Sequence, residues 1–206
     1  HDGRMTDWIA LQSRAAHLYD EVLPAVTDWD APSPCQSWTA RQVLAHVVDE
    51  QLWVPGLLAG GTVDEVAEDL EGPLRRLGEM SGPDLVAEWR GVRAPVSAAW
   101  RGTPDDDDVN LSYGSAPVGH YLAQQTFDLA VHAWDIAASQ GRDLPWGDEL
   151  ERAVLEFVRA DLASDPAPDL FDPPVSGFDG PGVPARHTAL ALTGRDPSRW
   201  QGRPSE

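Results

Sequence analysis

The chain contains no lysine: all fifteen of its basic residues are arginine, and against thirty-four acidic residues they leave a formal net charge of −19. A surface of that sign repels phosphate backbones and anionic headgroups, which argues against nucleic acid and membrane surfaces as partners. Cysteine is nearly absent too. Cys35 stands alone, so no intramolecular disulfide can form and nothing points to an oxidising compartment. No stretch approaches the roughly 18 uninterrupted apolar residues of a membrane span, and no basic start followed by an apolar run marks a secretory signal, so the expected compartment is the cytoplasm. Asparagine occurs once, at Asn110, and isoleucine is scarce. With the missing lysine, this reads as codon bias of a high-GC genome rather than as chemistry.

What is present suits one globular domain: 206 residues with 42% hydrophobic content supply a core of ordinary size. Residues 1–4 precede Met5 and read as a foreign extension, so the domain is expected over 5–206 and His1 is set aside as a ligand. Trp8, Leu11, Ala15, Leu18 and Val22 repeat at helical spacing behind Thr6 and Asp7, until Pro24 stops the pattern. Thr39 with Gln42 makes a capping box, flanked by Trp38 and Val43 as a hydrophobic staple. The helix it opens is expected from Ala40 to about Val54, with Pro55 and Gly56 ending or kinking it.

Weaker helical patterns cover Val63 to Met80 and Asp84 to Trp100. The acidic run Asp105 to Asp108 reads as a solvated loop. Pro117 suits the first turn of a long helix reaching to about Gln140, with Gly141 as its stop. Another helix is expected over Asp148 to Leu162. An irregular, proline- and glycine-rich segment over Ser164 to Pro184 then precedes a short helix around Ala185 to Thr193. Helices without a convincing alternating strand pattern predict an all-α antiparallel bundle, whose sites lie between facing helices.

At about 100° per residue, Tyr121, Asp128, His132 and Asp135 fall on one narrow stripe of the long helix. The bland account is a water-facing stripe. Against it, Ser115 to Gln140 contains neither arginine nor glutamate, so the helix is apolar nearly all round and its acids and imidazole need buried partners. His46 shares a face with Gln42, Asp49, Glu50 and Trp53 on the capped helix, and Glu50 is an alternative ligand at the same spacing. His46 with the Asp128-x-x-x-His132 pair gives two imidazoles and a carboxylate, a donor set suited to zinc, nickel or iron. His120 lies about 120° round from His132 and reads as a packing residue. Cys35 precedes a helix but has no fixed histidine neighbour, and His17 and His187 belong to no pattern.

The stretches from Pro34 to Val48 and from Phe127 to Ala137, with the closing Leu192-Thr193-Gly194-Arg195-Asp196-Pro197, resemble the actinobacterial branch of the DinB-like metal-binding superfamily. That branch includes the amino-terminal domain of mycothiol-dependent maleylpyruvate isomerases. The resemblance implies a four-helix bundle with an up-down-down-up path and one divalent metal, zinc before nickel or iron, on His46, Asp128 and His132. The isomerase has glutamate where Asp128 stands, and its catalytic arginine belongs to a carboxy-terminal region that does not align with Ser164 to Glu206.

Three protein ligands leave a coordination position open, the arrangement of a catalytic site. The leading expectation is a metal-dependent thiol transferase or isomerase that uses mycothiol or a similar low-molecular-weight thiol on a small electrophile. Asp49, Glu50, Tyr121 and Asp135 are the candidate acids or bases by helical face. A metal-dependent hydrolase that activates water, or a non-catalytic metal- or ligand-binding bundle, are the alternatives. Monomer and homodimer both remain open.

Overall fold

The structure, a computed structural model, describes residues 6–35, 38–164 and 171–200. The leading residues with Met5, Gln36 and Ser37 of the first motif, and positions 165–170 and 201–206 of the expected domain lie outside the described residues. Asp7 caps α1 (Trp8–Val22) by accepting from the Ala10 amide, and Pro24 ends it in a 3-10 turn. The expected capping box is formed: the Gln42 amide donates to Thr39 Oγ1 and the Thr39 amide donates to Gln42 Oε1. A second capping box, Thr62 with Glu65, opens α3 (Val63–Leu77), and Ser81 caps α4 (Gly82–Gly102).

The helix behind the first box, α2 (Ala40–Leu58), runs four residues past the expected end at Val54 with Pro55 inside it. Proline removes one ladder donor but does not end a helix whose next turn packs. Here the Ala59 amide closes onto the Pro55 carbonyl at 3.0 Å, and Gly56 sits so near Val66 of α3 that a Cβ would meet it at 2.9 Å. Pro73 and Pro95 also lie inside α3 and α4.

A short antiparallel hairpin, β1 (Asp108–Leu111) and β2 (Gly114–Pro117), departs from the all-helical expectation, and it takes in Asp108 from the acidic run. Only Val109 and its partner Ala116 are buried, too few inward positions to show alternation in the sequence. Then follow α5 (Val118–Ser139), α6 (Asp148–Ser164), α7 (Ala185–Leu192) and α8 (Pro197–Trp200). Gly141, at φ 70°, turns the chain out of α5 where the stop was expected.

Helix α5 is the central element: sixteen of its 22 residues are buried. It packs against α1 and α2, while α4 packs against α2 and, less extensively, α1. These four supply most of a core rich in Leu, Val and Trp, to which α6 and α7 add, and a second apolar cluster joins α2, α4, α5 and the hairpin. Tyr19 of α1 donates its hydroxyl to the Leu129 carbonyl of α5 at 3.0 Å. The α6–α7 pair forms a further layer, joined to α5 through α6, and carries the chain back to α5.

Candidate metal centre

The apolar surround of α5 puts its polar stripe among facing helices. Asp128 Oδ1 lies 3.3 Å from His132 Nε2 and 3.8 Å from His46 Nε2, and one ligand atom from each of the three lies within 4.8 Å of the others. The imidazoles meet edge to face at 5.0 Å between centroids, and the Trp38 indole lies 5.0 Å from the His46 ring. His46 and Asp128 are half-buried and His132 is buried, so the cluster has one face open.

Behind His132 stands a buried relay. His132 Nδ1 is 2.9 Å from Asp135 Oδ2, which fixes Nδ1–H as donor and leaves Nε2 turned towards Asp128. Asp135 is fully enclosed and held by Arg195 in a fork, Nε to Oδ1 at 3.0 Å and Nη2 to Oδ2 at 2.8 Å. Arg195 Nη1 donates in turn to the Thr193 carbonyl at 3.2 Å. The turn that delivers it depends on Gly194, at φ +82°, where a Cβ would stand 2.2 Å from that of Asp172.

Burial alone would push the Asp128 carboxyl up, but the adjacent His132 and His46 outweigh it and hold it well below the usual range. Burial lowers His132, and the Asp128 and Asp135 carboxylates more than reverse this, raising it to about 9. Arg195 keeps Asp135 ionised against its own burial.

Whether these residues suit a cation is decided by one atom. Asp128 Oδ2 is buried without a hydrogen-bond partner, and among the described residues it is the only side-chain acceptor in that state, the others being nitrogen donors. A carboxylate with one oxygen beside two imidazole nitrogens and the other without a partner fits a divalent ion with nitrogen and oxygen preference. A second grouping, Cys35 with His132 and Asp135, also falls within that spacing. It suits a metal poorly: burial and Asp135 push the Cys35 thiol up to about 11, and Asp135 is already held by Arg195.

The cluster opens onto a cavity of about 1230 Å³, lined by Asp49, Glu50, Trp53 and Tyr121 among others. Asp49 accepts from the Trp53 indole at 2.9 Å. Glu50 accepts from Gln125 Nε2 at 3.1 Å, and burial, then Asp128, raises its carboxyl. Burial also raises Tyr121, which packs on Trp100. Asp135 alone of the four candidate acids is turned away from this cavity, which makes it a positioning group for His132. His120 packs on Phe157 and is not in the cavity wall, and His17 is exposed against the Ser13 carbonyl. His187 lies near Asp143 and Phe178. Arg195 is the residue that sequence reasoning missed, although an acid buried on α5 already required a cationic partner.

A mainly helical domain that gathers two imidazoles and a carboxylate at the mouth of a cavity defines the class of helical-bundle proteins with an open, metal-suited centre. A family model described as the mycothiol maleylpyruvate isomerase N-terminal domain matches residues 13–137, and the chain belongs to that family. Uncharacterized proteins of Mycobacterium tuberculosis, one from strain CDC 1551 / Oshkosh and one from strain H37Rv, are each 29% identical over 133 residues, covering 63% of this chain and 64% of the relative. The match thus spans less than two thirds of their length. Among solved structures, a mycothiol-dependent maleylpyruvate isomerase and a histidine-to-alanine mutant of it give TM-scores of 0.59 and 0.62 at 18% identity, covering 79% of this chain and 70% of theirs. That likeness is one of fold.

Proposed function

We propose that this chain is a metal-dependent enzyme that joins or isomerises a small electrophile with the help of mycothiol or a similar low-molecular-weight thiol, working as a single domain over 5–206. His46, Asp128 and His132 are the residues that would hold the ion, and two imidazoles with one carboxylate favour zinc. When bound, a divalent ion supplies Lewis acidity that makes a thiol nucleophilic at neutral pH. The observation that carries this reading is the open face of the cluster towards the cavity, with Asp128 Oδ2 unsatisfied beside it.

The chain's own residues do the rest. Arg195 and Asp135 fix the tautomer of His132, so that Nε2 faces Asp128 without reorganisation. Trp38 covers His46 on one side and limits water there. Glu50, held at one oxygen by Gln125 and raised by its surroundings, is the group best placed to hold a proton inside the cavity.

The test is metal content of the wild type and of His46→Ala, Asp128→Ala and His132→Ala, followed by titration with mycothiol. About one zinc per chain, lost in the variants, and thiol binding that requires the metal are the expected results. A wild type that takes up no stoichiometric metal after reconstitution overturns the proposal.

A further inference from the structure

The cavity wall is unequal in charge. Asp49, Glu50, Asp128 and Asp172 are among the acids that line it, and among the described residues the lining guanidinium is that of Arg195. That guanidinium is 8% exposed and committed, two nitrogens on Asp135 and the third on Thr193. Among the described lining residues the remaining basic side chains are the two imidazoles of the proposed centre. The same wall carries aromatic surface: Phe127 stands 6.1 Å from Phe157 and 5.9 Å from Phe171, edge to face with the latter, and Trp38 lies beside His46.

We propose that the molecule this cavity takes beside the thiol is uncharged or cationic with an apolar body, and that the cavity discriminates against carboxylate-bearing and other anionic occupants. An anion entering here surrenders hydration and meets like charge, with no free guanidinium among the described lining residues to receive it. Aromatic faces and carboxylates together favour a neutral or positive group. The mycothiol-dependent maleylpyruvate isomerase structures have this fold, yet maleylpyruvate by its chemistry is a dicarboxylate. The inference therefore separates this chain's substrate class from theirs. It rests on the thiol-transfer reading only for the occupant's role as electrophile; the charge preference belongs to the cavity wall.

The test measures binding of three phenyl compounds that ligate metals poorly, benzyl alcohol, benzyltrimethylammonium and benzenesulfonate, to the full chain with and without saturating zinc. Shifts of the Trp38 and Trp53 indole resonances report occupancy. The alcohol and the ammonium are expected to bind at least about tenfold more tightly than the sulfonate in both states, as close like charges require. Asp49→Asn with Glu50→Gln is expected to narrow that gap at least about threefold. Sulfonate binding as tight as the alcohol's overturns the inference, as does a gap unchanged in the folded double variant or no binding by any of the three. None of these readouts needs turnover or thiol. A chain that keeps the preference but takes up no metal refutes the proposed function and leaves the charge preference standing.

Discussion

Two charged clusters draw on the same stretch of chain, α5 and the turn after it, and they are built from the same residue types to different ends. Near its carboxy-terminal side, Asp143 accepts from the Trp134 indole at 3.0 Å and from Arg186 at 2.5 Å, while Glu151 takes the other arm of Arg186 at 2.9 Å. His187 stands beside Asp143. There, guanidinium and carboxylates close on one another and clamp α7 onto α6 and the turn after α5. In the other cluster the guanidinium of Arg195 stands behind, on Asp135, and the carboxylate that faces the cavity is left with imidazoles and an unsatisfied oxygen. Closed charge holds the fold; charge left open on one side is what a ligand can use.

The largest test of this contrast is removal of each arginine. Arg195→Leu strands a fully buried carboxylate and is expected to cost about 3–5 kcal/mol in urea denaturation. Arg186→Leu leaves Asp143 partly open to water, 27% exposed, and leaves the buried Glu151 with the Trp146 and Arg186 backbone amides, so it is expected to cost less, about 2 kcal/mol. Equal losses would break the comparison. Next in size is the effect of zinc. Metal at about one hundred times its dissociation constant should stabilise the wild type by about 2.7 kcal/mol in thermal melts, leave His187→Ala equally stabilised, and do nothing for His132→Ala. Zinc stabilisation that survives in His132→Ala would remove the centre from that end of the helix. Smaller again is Asp135→Asn, which keeps all three proposed ligands but loosens the ring behind them. Zinc should bind about 10–100-fold more weakly there by competition with a chelating dye, and unchanged affinity would reduce Asp135 to a purely structural group.

The sequence made the helical part of this architecture legible where local chemistry decides it. Thr39 and Gln42 announce α2, and the apolar surround from Ser115 to Gln140 announces α5 as central. It was less legible where tertiary packing overrides local preference: Pro55 sits inside α2 because Gly56 and Val66 hold the next turn, which no single-residue propensity records. The hairpin escaped because Asp108, Asn110, Gly114 and Pro117 are poor strand formers and only one residue of each strand points inward. Helical spacing put Asp128 and His132 a turn apart on α5, and the structure sets His46 of α2 beside them. Arg195 was quoted in the closing motif without a role, since its partner lies 60 residues earlier and no local spacing links the two; only the need of a buried Asp135 hinted that a cation had to arrive.

The smallest expected effect concerns acid. Burial would raise the Asp143 carboxyl, but hydrogen bonds from Arg186 and Trp134 and the neighbouring charge of Arg186 hold it below its ordinary value of 3.8. A carboxyl depressed in the folded state takes up its proton more readily in the unfolded chain, so its contribution is complete well above pH 3.8 and is lost as pH falls through the folded value. Because His187 titrates nearby with a lowered value, the comparison belongs in a His187→Gln background. There, denaturation curves of the parent and of Asp143→Asn should run parallel from neutrality to about pH 5 and converge below pH 4. A constant difference down to the acid transition would mean that Asp143 gains no more from its ion pair folded than unfolded. The closed cluster would then hold α7 through its hydrogen bonds and packing, and the contrast with the open cluster would rest on geometry rather than on charge.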